Sequence, residues 1–395
     1  MALDFQQIRE QVLALGESAP LRERERRAKR DLALTLLENK AQDFAALNQR
    51  IDLILENYDS TLRCARPTDE ALNLRVPAPA VSSPATILAA DGSQIAPDRH
   101  AVVDYCLVNV GAIRMTSGAP APPETTVRCQ LFYDETMYTS AGGKITEALL
   151  GLRRDLRERE LLVLLAKEAT PPVITLTDGR MELWGAVDAG SATEFQQSLR
   201  AYIEALERLG RLGAISAAYV DKPGASLVVR LLEIAMLEEL DLPEVRKRFP
   251  LRSVGDLDLF LALLAPGERS AVFALQSKSA AEYRGDLALH FFYLNVGRPG
   301  NPSLSRVEVP AWVAQNGEML EILHAALIEQ CRIMGNRPYP YLLHRAHEAA
   351  VVSREEKAQV EQMIAGELQR RGVPVGRASD KQAAKDLPGR TRYTG

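Results

Sequence analysis

ATILAADGSQIAPDRH, residues 85–100, is apolar from Ala85 to Ala90 and then sets Asp91, Gly92 and Ser93 in succession. Asp-Gly is a common turn dipeptide, and a carboxylate at a strand end is also where many enzymes hold a metal. Which of the two applies depends on what surrounds this stretch in the chain.

Working outward, HAVVDYCLVNVGAIRM (100–115) and VRCQLFYDETMY (127–138) are strand-like runs separated by the loop SGAPAPPETT. Together with residues 85–91 they predict an antiparallel three-stranded meander. A helix is predicted over Ile145–Lys167, and PPVITLTDGRMELWG (171–185) then reads as a compact apolar strand ending in a second Asp-Gly at Asp178. Strand, two further strands, an acid-bearing helix and a strand is the front half of an RNase H-like fold. The expected class is therefore α/β, with a mixed sheet flanked by helices. In that layout the first strand is central, the strand after the helix pairs beside it, and Asp91 and Asp178 converge.

The helix offers Asp155, Glu158, Glu160 and Glu168 as a third carboxylate. Leu149, Leu152, Leu156 and Val163 or Leu164 define an apolar stripe. Glu160 falls on it, four residues after Leu156 and four before Leu164. An acid on an apolar stripe is costly unless paired or metal-bound, so Glu160 is the expected ligand and Glu158 the off-register alternative. A Glu at the stripe edge, paired to Arg153 or Arg157, is the structural reading of the same residue. Three oxygen ligands on rigid elements suit one or two hard divalent cations, which would neutralise a phosphodiester and lower the pKa of attacking water.

The whole chain has 395 residues, 46% hydrophobic and 25% charged, with a net charge of −4, so nothing global attracts a polyanion. Bound cations or locally grouped Arg and Lys would have to do so. Cys64, Cys106, Cys129 and Cys331 form no CxxC pair, which argues against zinc and against a secreted disulfide framework. The acids among the first residues, and the lack of a long apolar run, point to a cytoplasmic protein with no membrane segment.

Residues 1–66 read as an N-terminal helical region, charged at LRERERRAKR and apolar at Phe44, Leu47, Ile51, Ile54 and Leu55, and suited to a dimer or partner contact. Residues 67–84, rich in Pro and Ser, form a linker; 85–371 is the expected catalytic domain, and 372–395 a polar, weakly basic tail. Two other phosphate chemistries fail on inspection. A haloacid-dehalogenase phosphatase needs an aspartate where Ala89 stands, and a P-loop at SAGGKIT would need Gly at Tyr138 and a hydroxyl at Ile145.

The segments ILAADGSQIAPDRH, LVNVGAIRM, ITLTDGRMELWG, AYVDKP, RVEVPAWVA and YPYLLHRAH, in this order across residues 85–355, resemble the NurA nucleases. The resemblance implies a ring-shaped homodimer that degrades DNA with manganese, or magnesium, and works with a hexameric ATPase of the HerA type in DNA end processing. Carried over by position, Asp91, Glu160 and Asp178 look like the metal-binding acids and Ser93 like the hydroxyl beside the first. Tyr339 and His347 resemble the late Tyr and His that complete the site, His347 as a metal ligand or phosphate contact. Each also has a plain packing role to fill. Lys222, after the strand in AYVDKP, could face a substrate phosphate or simply be an exposed strand end. A ring-forming scaffold for the ATPase, with a weak or silent site, is the competing class, in repair or antiviral defence.

Overall fold

The computed structural model describes residues 4–79, 84–98, 103–140, 142–183 and 192–373. Residues 80–83 of the linker and the basic tail from 374 onward lie outside them. In chain order the elements are α1 (Phe5–Asn39), α2 (Phe44–Asn57), β1 (Cys64–Pro67), β2 (Arg75–Val76), β3 (Thr86–Ile95), β4 (Cys106–Thr116), β5 (Glu124–Phe132), α3 (Glu147–Ala166) and β6 (Val173–Asp178). Next come α4 (Ala192–Arg211), β7 (Ile215–Asp221), α5 (Leu227–Met236), α6 (Asp256–Leu263), β8 (Arg269–Ser270), β9 (Phe273–Gln276) and β10 (Leu289–Asn295). The last are β11 (Leu304–Pro310), α7 (Ala311–Ala314), α8 (Gly317–Ile333), α9 (Tyr341–Ala350) and α10 (Arg354–Arg370). No described helix is long and apolar enough to cross a membrane.

Two compact units divide the chain. One comprises Met1–Ser83, Gly179–Glu182 and Ala217–Pro340; the other comprises Pro84–Asp178, Leu183–Ser216 and Tyr341–Gly395. In the second unit β3 pairs antiparallel with β4 from Thr86↔Thr116 to Ile95↔Leu107, and β4 pairs antiparallel with β5. On its other edge β3 pairs parallel with β6, from Thr86↔Val173 to Ala90↔Thr177. The opening residues of β7 belong here too, where Thr175 and Ser216 share a hydrogen bond of 2.9 Å. A central first strand between an antiparallel meander and a parallel strand reached through a helix is the RNase H-like arrangement. Asp91-Gly92 is not a turn: the β3–β4 ladder runs straight through Asp91↔Gly111 and Gly92↔Val110.

Side chains alternate across β3, and the two faces have different cover. Asp91 and Ser93 meet α9, whose His347 and Ala350 carbonyl they engage, whereas a side chain at Gly92 would meet Arg154 and Glu158 of α3. Gly111 explains how α9 comes so close. A Cβ there would lie 2.8 Å from the Ala349 carbonyl carbon and 2.9 Å from Ala346 O, so only glycine admits the helix backbone. Asn109 Nδ2, two residues back on the same face, donates to Ala350 O at 2.7 Å. The far end of this sheet packs Ile95, Tyr105 and Leu107 against Val352, Val360 and Ile364.

The other unit is built on antiparallel pairs β1–β9, β9–β10, β10–β11 and β11–β7. Phe260, Phe273, Phe291 and Tyr293 stack in its core, every one of them fully buried. The buried Asp256 carboxylate accepts from the backbone N–H groups of Leu227, Val228 and Val229 at the start of α5 and from the Tyr293 hydroxyl. It satisfies donors that a helix N-terminus leaves open. The N-terminal helical region is a pair, α1 and α2; only Ala33 and Leu37 of α1 are buried, as its charged sequence requires.

Candidate active site

β3 carries Asp91 to the point where its pairing with β6 stops. The last parallel pair is Ala90↔Thr177, so the next residue on each strand is an aspartate, Asp91 on one and Asp178 on the other. Asp178 is exposed at the end of β6. Asp91 is mostly covered; its Oδ1 accepts from Gly92 N and its Oδ2 lies 2.7 Å from Nδ1 of His347. The imidazole itself is largely open to solvent, with 63% of its side-chain area exposed. Ser93 Oγ donates to Ala350 O, so its hydroxyl fixes the C-terminal end of α9.

The buried acid of α3 is not the one the apolar stripe predicts. Glu160 is half-exposed and paired with Arg157 at 2.6 Å, and Arg157 in turn donates to Gln130. It is Glu158 that is buried, with its Oε1 2.8 Å from where a Cβ on Gly92 would be. The stripe misleads because α3 is covered on two sides, by the sheet and by α4. Leu149, Leu150, Leu152, Leu161, Leu162 and Val163 are all buried, while Leu164, taken as part of the stripe, is exposed. The sheet-facing side of that broad buried surface is the side that holds Glu158.

Burial pushes the Glu158 carboxyl well above the usual range, and the negative charges of Asp155 and Asp91 push it further. Asp155 is also raised, chiefly by burial, against the pull of Arg154. Arg154 lies among these acids: its Nη2 donates to Asp155 Oδ1 at 2.8 Å and its Nε is 3.7 Å from Glu158 Oε1. Arg159, the next residue after Glu158, is buried and donates to the Tyr202 hydroxyl at 3.0 Å and to Thr177 Oγ1 at 2.7 Å. It thus ties α3 to β6 one residue before Asp178.

Among the described residues no three His, Cys, Asp or Glu side chains converge as a ready-made metal cage. The donor chemistry nevertheless fits a hard cation. Asp91 and Asp178 stand next to each other in register where β3 and β6 stop pairing, and the buried Glu158 feels the negative charge of Asp155 and Asp91, which Arg154 and Arg159 oppose. Asp91, Glu158 and Asp178, with the His347 imidazole beside Asp91, are the residues that would hold it.

The remaining expected residues have these surroundings. Tyr339 belongs to the other unit and packs edge-on against Tyr219, ring centroids 5.6 Å apart. Lys222 also belongs to that unit, exposed just past β7 with φ of 45°, a left-handed conformation uncommon for lysine. His344 stands 3.6 Å from Glu348 on α9, and His290 is buried in β10 with Nδ1 bonded to Ala288 O. Sequence reasoning did not single out Asn109, Gly111, Arg154 or Arg159. The glycines in mid-strand at 92 and 111 were the available signal, since such a residue marks close approach of another element.

A NurA domain matches residues 85–352 of the chain. Among solved structures the chain is similar to the NurA nuclease of Sulfolobus solfataricus, at 12% identity over 85% of this chain and 95% of that chain, with a TM-score of 0.47. A crystal structure of NurA with manganese is similar at 14% identity over 85% and 96%, TM-score 0.33. Ciona intestinalis endonuclease V bound to an inosine-containing DNA is similar at 12% identity over 70% and 87%, TM-score 0.29. No curated protein sequence matches.

Proposed function

We propose that this chain, which belongs to the NurA family, hydrolyses phosphodiester bonds of DNA at the end of β3 with a divalent cation, manganese or magnesium, held by Asp91, Glu158 and Asp178. The observation that carries this reading is the grouping of acids there: Asp91 on the central strand, Asp178 next in register on β6, and the buried Glu158 within electrostatic reach of Asp91. A cation bound by them would neutralise the phosphodiester and lower the pKa of water for in-line attack.

The chain's own residues have separate duties. Asp91 orients the exposed His347 imidazole through Nδ1, leaving the other ring nitrogen to exchange a proton with water or with the departing oxygen. Ser93 and Asn109 hold Ala350 O and so fix the helix that carries His347. Arg159 keeps the end of β6 against α3. In this reading Glu158 replaces Glu160 as the helix ligand, and Tyr339 and Lys222 carry no assigned role.

We further propose that the protein acts as a homodimer on DNA ends together with a HerA-type hexameric ATPase, an expectation that rests on family membership. The test of the core reading is cleavage of end-labelled linear DNA with manganese by wild-type protein and by Asp91→Ala. Cleavage by the wild type and none by the folded variant supports it. Full activity in the variant rejects the site, and wild-type protein that never cuts, alone or with the ATPase, leaves a scaffold.

A further inference from the structure

Resting on the nuclease reading above, we propose that Arg154 is the resident counter-ion of the acid cluster, displaced when a divalent cation is bound and then free to grip a phosphate of the DNA. Four arginines, Arg153, Arg154, Arg157 and Arg159, lie along this part of α3, and their environments differ; Arg153 lies 3.9 Å from Glu194. Arg157 is on the outside, held by Glu160 and Gln130. Arg159 is locked in the core by Tyr202 and Thr177. Arg154 has its guanidinium bonded within the acid cluster, whereas the charge of Arg159 reaches Asp155 and Glu158 from a guanidinium held by Tyr202 and Thr177.

Its stem lies on Gly92, with Cγ 2.5 Å and Cδ 3.0 Å from where a Cβ would be. Its guanidinium bonds a single oxygen of Asp155, through Nε at 3.1 Å and Nη2 at 2.8 Å. The contact with Glu158 is 3.7 Å, too long for a hydrogen bond. Arg154 therefore shares its charge among Asp155, Glu158 and Asp91 while being anchored to only one of them. A divalent cation drawn to the same carboxylates brings like charge against the guanidinium at short range. Because 34% of the side chain is exposed, the arm can swing outward without opening the core. A planar guanidinium released beside a metal-bound substrate can engage phosphate oxygens in bidentate fashion.

The test compares wild type, Arg154→Met and Arg154→Lys in two equilibrium measurements: manganese binding without DNA, by calorimetry, and binding of labelled DNA in calcium, by anisotropy. Arg154→Met is expected to bind manganese about tenfold more tightly than wild type, because the competing charge is gone. In calcium it should bind DNA on the order of fivefold more weakly, for loss of the charge-assisted phosphate contact. Arg154→Lys keeps the charge and should bind manganese within about twofold of wild type. Manganese binding no tighter in Arg154→Met, or DNA affinity unchanged in it, overturns the proposal while leaving the nuclease reading intact. Wild-type protein that binds no manganese overturns that reading and this proposal with it.

Discussion

Oε1 of Glu158 lies 2.8 Å from the position a Cβ on Gly92 would take, so the central strand has room for nothing larger than hydrogen where the helix carboxylate arrives. Gly92→Ala must therefore push away both Glu158 and the Arg154 stem. Glu158 can give at its tip, but Arg154 meets the new methyl with its Cγ, close to the helix, so the fold should lose about 2–3 kcal/mol. Catalysis should suffer far more, by about a hundredfold, because a misplacement of an ångström at a reacting centre is enough for that. Urea denaturation and DNA digestion on the same preparation separate the two effects; equal activity in Gly92→Ala would place the third ligand elsewhere.

Glu158 and Glu160 make a second, sharper comparison. Glu160 is half-exposed in an ion pair with Arg157, of a kind worth at most about 1 kcal/mol, so Glu160→Gln should retain activity within about twofold and stability within about 1 kcal/mol. Glu158→Gln keeps the shape but halves the site's grip on a cation, and cleavage should fall by about a thousandfold. Its stability without metal should not drop, since a buried carboxylate beside two other acids becomes a neutral amide. The reverse pattern, with Glu160→Gln inactive and Glu158→Gln active, would restore the ligand set that the sequence pattern favoured.

The contrast between those two residues also shows what could be read before any coordinates. The meander, the crossover helix and the second Asp-ending strand were legible because each is a long apolar run bounded by Pro, Gly or polar residues. Asp91 and Asp178 followed, since parallel pairing of consecutive strands brings their ends together. Which acid of α3 is buried was not legible. A single-stripe rule assumes one covered face, and α3 has two, so the helix buries Leu162 and Glu158 as well as Leu149. The approach of α9 was encoded only as Gly111, whose meaning depends on a helix more than two hundred residues later in the chain. Tyr339 and His347, eight residues apart in sequence, fall on either side of the boundary between the two compact units.

Gly111 supports a prediction about the histidine. A Cβ there would press on backbone atoms of Ala346, Ala349 and Ala350, which cannot rotate aside as a side-chain tip can. Gly111→Ala should displace α9, cost about 2–3 kcal/mol and uncouple His347 from Asp91. Asn109→Ala should act in the same direction but more mildly, about 1 kcal/mol, because Ser93 still donates to Ala350 O. The check is the Nδ1 hydrogen bond of His347 to Asp91, read from the imidazole nitrogen NMR signals, which Gly111→Ala should abolish. Unchanged signals would show that α9 is held by something other than the strand beneath it.

Stability should depend on pH through a histidine far from any of this chemistry in sequence. His324 is buried in α8, with Nε2 2.8 Å from Gly267 O, and burial holds its pKa down at about 4 against an ordinary value of 6.5. The folded protein therefore binds fewer protons than the unfolded chain between those two values, and stability must fall as pH drops through this window. Above the unfolded value the neutral ring is fully stabilising; toward about 4 its contribution is lost, by an amount on the order of 3 kcal/mol. The buried His290, also depressed by burial, adds loss of the same sign. Urea midpoints between pH 7.5 and 4.5 should decline for wild type and decline less steeply for His324→Gln, whose amide can still donate to Gly267 O. An equal slope in the two proteins would mean that the acid sensitivity comes from other groups.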